Sequence, residues 1–167
     1  VHYDPVATSH AALEEAIRPL LDGLTPDLTP GRRHTIPVCY EPELAPDLAF
    51  VADKTGVAPA EVGRLHASVV YRVYMIGFLP GHPYLGDVPE PLRLPRRQTP
   101  RTAVPPGSVA IGTTMSSIYP LESPGGWHLI GRTPTAVFDL TRPQPVLLAP
   151  ISKAEYDTLS AASGRGA

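Results

Sequence analysis

The 167 residues carry 14 Lys and Arg against 16 Asp and Glu, a formal net charge of −2, so no whole-chain field draws nucleic acid or an anionic membrane surface. No apolar run approaches the ~20 residues of a spanning helix, and the single Cys39 excludes an intramolecular disulfide framework and points to a reducing compartment, the cytoplasm. A chain of this length makes one domain, or one domain with a fragment of another, and can bury a substantial core.

Val1-His2-Tyr3 reads as a short strand. Ser9 then stands where an N-cap belongs, and Leu13, Ile17, Leu20 and Leu21 recur behind it at helical spacing, with Pro19 expected to kink or end the helix early. Thr25 to Arg33 is polar and aperiodic and contains Pro and Gly, so it reads as a linker, and the domain boundary falls there, giving segments 1–30 and 31–167. Ile36-Pro37-Val38-Cys39-Tyr40 reads as an edge strand, where proline is tolerated. Two short helices follow, one from Asp47 to Lys54 stopped by Gly56, the other opening on Pro59 and running through Val62 and Leu65. Val69 to Phe78 is rich in β-branched and aromatic residues and reads as a strand. Further short strands are expected at Val109–Ile111, Trp127–Gly131, Ala136–Leu140 and Val146–Leu148. Their spacing implies a mainly β (α+β) domain, closed or sandwich-like, with short helices.

Two runs pack glycine and proline around aromatic and cationic side chains: Gly77-Phe78-Leu79-Pro80-Gly81-His82-Pro83-Tyr84-Leu85-Gly86 and Ser123-Pro124-Gly125-Gly126-Trp127-His128-Leu129-Ile130-Gly131-Arg132-Thr133-Pro134. Proline fixes its own φ and restricts its predecessor, so such runs form stiff loops. Between them, Pro95-Arg96-Arg97-Gln98-Thr99-Pro100-Arg101 makes the region from Val73 to Pro134 locally cationic: Arg93, Arg96, Arg97, Arg101 and Arg132 against Asp87, Glu90 and Glu122. The planar, permanently charged guanidinium suits carboxylate or phosphate, so Arg97, Arg101 and Arg132 are candidate anion binders. Gly125 and Gly126, beside Trp127, offer backbone N–H groups to an anion, or simply form a tight turn into the next strand. Tyr84 and Tyr119 offer hydroxyls, and His82 stands in the first loop. The chemistry the chain lacks is as informative. Lys54 and Lys153 are its only lysines, neither in a phosphate loop, a biotin-attachment context or a serine-activating arrangement. The six histidines show no metal-ligand spacing, so no metal is expected.

The order GF-x-PG-x-x-YLG, PRR-x-x-PR, VP-x-GSV, IYP and SPGGW-x-LIGRTP resembles the first-subunit family of allophanate hydrolase. That family also includes the B-type chain of bacterial 5-oxoprolinase, the sporulation kinase inhibitor group and part of the carboxyltransferase domain of urea carboxylase. The resemblance implies a cyclophilin-like β-barrel with short helices, preceded by an α/β domain of which residues 1–30 match only the last strand and helix, so we expect residues to precede Val1. Two departures stand out: His82 where the family commonly has Phe, and Met115-Ser116-Ser117 before Ile118-Tyr119-Pro120 where it has Gln-Thr-Gly.

Two functions follow from the resemblance. One is a subunit of a bacterial heteromeric enzyme hydrolysing an amide, either ATP-dependent 5-oxoprolinase or allophanate hydrolase. There this chain binds no cofactor itself, and a second subunit, of the allophanate hydrolase subunit 2 type or the C type of 5-oxoprolinase, supplies ATP or carboxybiotin chemistry. The other is a regulator that inhibits a sensor histidine kinase. A narrow Arg-lined pocket favours the first and a flat apolar patch the second. The candidate substrate-binding set is His82, Tyr84, Arg97, Arg101, Tyr119, Gly125, Gly126, Trp127 and Arg132, with no catalytic residue assigned.

Overall fold

The computed structural model describes residues 2–25, 33–138, 148–151 and 153–162, and the chain divides into two compact units, Val1–Gly31 and Arg32–Ala167. In the first unit, helix α1 (His10–Leu21) begins where the Ser9 hydroxyl accepts the Ala12 N–H at 3.2 Å. Of the two outcomes expected at Pro19, a kink or an early end, the early end does not occur: the helix runs through Pro19 to Leu21, two residues further. His2 and Tyr3 form no strand, since no described strand pairs with them. Residues 26–32, most of the expected linker, lie outside the described residues.

The second unit contains β1 (Ile36–Cys39), α2 (Leu48–Thr55), α3 (Pro59–Ala67), β2 (Arg72–Ile76), β3 (Pro83–Gly86), β4 (Arg101–Val104), β5 (Ser108–Gly112), β6 (Met115–Ile118), β7 (Ser123–Gly125), β8 (His128–Arg132), β9 (Leu148–Ile151) and α4 (Lys153–Ala162). Seven strands form one sheet in the order β2-β3-β6-β5-β8-β1-β9, antiparallel except for the β1–β9 pair, and curl into a half-barrel with the short helices; β4 and β7 form a separate ribbon. β1 is not the edge strand that Pro37 suggested, because β9 runs along one side of it. β8 meets it only at Cys39, which leaves the position beside Pro37 open to a residue with no N–H. Ala136–Phe138 form no strand; Asp139, Leu140, Val146 and Leu147 lie outside the described residues, and Leu148 opens β9.

Alternation along β5, the fully buried central strand, divides the core. Val109 and Ile111 face the larger cluster, with Val51 of α2, Val62 of α3, Ile118 and Ile130. Ala110 faces the other way, toward Val104, Tyr119, Trp127 and Leu129, with Tyr84 packed against them. The helices that cover the first face are short because α2 ends on Gly56 at φ +68°, a left-handed cap, and α3 starts on Pro59. The second face carries Tyr84 and Trp127, one from each glycine-proline run.

Candidate functional site

A cavity of about 310 Å³ opens on this aromatic face, lined by Phe78, His82, Tyr84, Arg96, Arg97, Pro100, Tyr119, Pro124, Gly125, Gly126 and Trp127. The first run supplies the β2–β3 hairpin loop, closed by Gly77 N–H to His82 C=O at 3.1 Å and His82 N–H to Leu79 C=O at 3.1 Å. Within it Phe78 adopts φ +71°, a left-handed conformation that few residues of its size adopt. The second run supplies β7, its turn and Trp127. Gly125 is required by close approach: a Cβ there would overlap the Tyr119 hydroxyl. The turn is fastened from the cationic segment, where the Arg97 N–H donates to the Gly126 carbonyl at 2.8 Å.

The rings meet edge to face. His82 lies 5.4 Å from Phe78, 5.2 Å from Tyr84 and 5.0 Å from Tyr119 between centroids, and Tyr84 lies 5.8 Å from Trp127. His82 is buried, its Nε2 is 2.7 Å from Ser117 Oγ, and its Nδ1 has no protein partner among the described residues. Burial pushes its pKa down to about 4, so the pocket wall it forms is neutral at physiological pH. Burial also raises the Tyr119 phenol, helped by Tyr84 and opposed by the charges of Arg96 and Arg101, so Tyr119 keeps its proton. Two buried polar residues of this wall, His82 and Ser117, are therefore hydrogen-bonded to each other.

His66 occupies the opposite face of β6. Ser116 Oγ donates to the Ala110 carbonyl at 3.1 Å, so it accepts from His66 Nε2 at 2.8 Å, and Nδ1 in turn accepts the Tyr40 hydroxyl at 2.8 Å. Burial lowers this imidazole to about 3. His128 is a buried residue of β8 that donates from Nε2 to the Pro95 carbonyl at 2.8 Å and stacks on Phe50, away from the neighbours of His82.

The arginines are organised by a residue that no sequence signal singled out. Asp47, at the start of α2, is buried, and its side chain makes no helix-cap bond. Its carboxylate accepts Arg97 Nη1 at 2.9 Å, Arg101 Nη1 at 2.8 Å and Nη2 at 2.7 Å, and the Leu129 N–H at 2.7 Å. Burial alone would raise this carboxyl; the hydrogen bonds from Arg101 and Leu129 and the charges of Arg101 and Arg97 overcome it and hold the group below its ordinary value.

The structure thus brings His82, Tyr84, Arg97, Tyr119, Gly125, Gly126 and Trp127 to one pocket and leaves out two of the expected residues. Arg101 does not line it, because its fork grips Asp47 in a bidentate pair. Arg132 ends β8 elsewhere and donates from Nε to the Pro106 carbonyl at 3.1 Å. Three contributors were missed: Asp47, Phe78 and Arg96, whose guanidinium lies 5.4 Å from the Trp127 ring centroid. A count of charges in the segment contained Arg96 but could not single it out. Among the described residues no group of three or more His, Cys, Asp or Glu side chains is placed to hold a metal ion, and no helix is long and apolar enough to cross a membrane.

Residues 1–148 match the family model of the carboxyltransferase domain, subdomain C and D. The chain belongs to that family. It is 52% identical over 118 residues to the B-type chain of 5-oxoprolinase from Haemophilus influenzae, covering 71% of this chain and 55% of that protein. This carboxyltransferase-family chain spans about half the length of the curated relatives it matches. Among solved structures, it resembles a conserved uncharacterized protein of Pyrococcus horikoshii with a TM-score of 0.70 at 36% identity, covering 92% of this chain and 74% of the other. It also resembles the Kluyveromyces lactis urea carboxylase with a TM-score of 0.73 at 19% identity, over 98% of this chain and 18% of that one, a likeness of fold alone.

Proposed function

We propose that this chain is a subunit of a bacterial 5-oxoprolinase-type complex in the cytoplasm, and that the pocket holds 5-oxoproline while a second subunit of the family supplies the ATP-linked step that opens the ring to glutamate. The observation that carries the reading is the pocket in a chain so similar to the B-type chain of a 5-oxoprolinase. At about 310 Å³ it suits a small molecule, its ring-edge walls suit a five-membered lactam, and the neighbouring guanidiniums suit a carboxylate. In this reading the pocket residues bind and orient the lactam, and the second subunit carries the ATP-linked step. A recessed Arg-lined pocket also supports the enzyme reading over docking on a sensor histidine kinase.

The test is to co-express the chain with the neighbouring second subunit and assay ATP-dependent opening of 5-oxoproline against breakdown of allophanate. Turnover of 5-oxoproline by the complex, and none by the chain alone, is expected. Turnover of allophanate instead would reassign the substrate, and co-elution with a histidine kinase without any turnover would favour the regulator.

A further inference from the structure

The arginines around the pocket differ in what already occupies them. Asp47 takes both Nη atoms of Arg101 and Nη1 of Arg97, and its carboxylate is anchored to the sheet through the Leu129 N–H. Those two guanidiniums are held in place by a buried charge, each with two of its five N–H donors committed, Arg97 to Asp47 and the Thr99 carbonyl and Arg101 to Asp47 alone. Arg96 is different. It is exposed at the pocket, it makes no ion pair or hydrogen bond among the described residues, and its guanidinium lies 5.4 Å from the Trp127 ring centroid. An aromatic face orients a guanidinium without consuming any of its N–H donors, so the planar fork stays free to receive an anion.

Charge balance points the same way. Arg96, Arg97 and Arg101 set three positive charges against the one of Asp47, and two polar rings of the pocket, His82 and Tyr119, carry none. An entering anion therefore meets an uncompensated cation, and the accessible one with an unused fork is Arg96. The geometry points to Arg96, oriented on Trp127, as the specificity-determining residue that pairs with the carboxylate of a small cyclic amide, while Arg97 and Arg101 serve mainly as counter-charges to Asp47. This assignment rests on the reading of the pocket as the 5-oxoproline site.

The two can fail separately in one experiment. Binding of 5-oxoproline and of 2-pyrrolidone, the same lactam without the carboxylate, is measured by calorimetry on the complex assembled with its second subunit, for the unmodified chain, Arg96→Lys and Arg96→Ala. The unmodified complex is expected to favour 5-oxoproline by about ten- to a hundred-fold, the range of a charge-assisted contact. Arg96→Ala should remove most of that preference by weakening 5-oxoproline alone, and Arg96→Lys, which keeps the charge and loses the fork, should fall between. Arg96 is exposed, so the variants are expected to fold as the parent does, which circular dichroism checks. Preference intact in Arg96→Ala overturns the assignment and leaves the pocket reading standing; an unmodified complex that binds no 5-oxoproline overturns both.

Discussion

Asp47→Asn removes one charge and almost no volume, which makes it the most direct probe of how the site is held together. The carboxylate is 5% exposed and accepts four hydrogen bonds, three from guanidiniums and one from the Leu129 N–H. An Asn side chain has one acceptor oxygen, and its NH₂ would point donors at donors. Arg97 and Arg101, 31% and 24% exposed, would lose their counter-charge while still sharing one corner of the fold. Breaking a fully buried pair costs about 3–5 kcal/mol, and the partial exposure of both arginines reduces the expectation here to about 2–4 kcal/mol. At roughly 3 °C per kcal/mol for a chain of this size, the melting midpoint should fall by about 6–12 °C. Urea unfolding should give the same free energy, and in an Arg101→Met background the cost should shrink by about 1–2 kcal/mol, because the two residues act through one contact. The sign of the acid response is also fixed. The folded carboxyl is held below its ordinary 3.8, so its contribution is present above that value and is lost as pH falls through the folded value. Asp47→Asn should therefore flatten the stability profile below about pH 4. Unfolding within about 0.5 kcal/mol of the parent, the usual scatter of surface changes, together with an unchanged acid profile, would refute the clamp.

Three further outcomes are expected. His66 and His82 are held neutral, at about 3 and about 4 against 6.5, so the unfolded chain binds protons first. Stability should be complete above pH 6.5 and decline below it by up to ~1.4 kcal/mol per pH unit for each histidine. His82→Phe should remove one of the two contributions, and parallel urea-derived profiles for the two proteins would contradict this. Gly125→Ala should cost about 1–3 kcal/mol by driving a methyl group into the Tyr119 hydroxyl, and Tyr119→Phe in the same chain should recover part of it, read by thermal unfolding. Arg132→Lys should cost about 1 kcal/mol through its bond to the Pro106 carbonyl and leave kcat/KM of the assembled complex within about two-fold, whereas a ten-fold kinetic loss would return Arg132 to the site.

The elements that were legible are those whose signals are local. Gly56 and Pro59 punctuate α2 and α3 as their backbone requirements dictate, and β5 and β8 are apolar enough to stand out. β3 and β6 were not legible. β3 begins with proline and ends with glycine, and its place in the sheet is secured by β2 and β6 on either side. β6 carries two consecutive buried serines, which read as a turn when no partner is in view. Each is satisfied by a histidine far away in sequence, Ser116 by His66 fifty residues earlier and Ser117 by His82 thirty-five earlier, and no local pattern contains that information.

The same limit shaped the reading of the site. Clustered arginines pointed to anion binding, but which guanidinium is already engaged depends on Asp47, fifty and fifty-four residues before its partners. An aspartate at the start of a helix has an ordinary local explanation as a cap, and here that explanation fails: the carboxylate turns away from the helix toward Arg97 and Arg101. The pair His82 and Ser117 follows the same logic. Taken singly, each places a polar group in a buried wall, which would be costly; taken together, the Ser117 hydroxyl meets His82 Nε2, and the imidazole keeps its edge contacts with Phe78, Tyr84 and Tyr119. The hydroxyl and the imidazole satisfy each other within the wall, so the aromatic enclosure holds a neutral polar ring without leaving Nε2 unpaired.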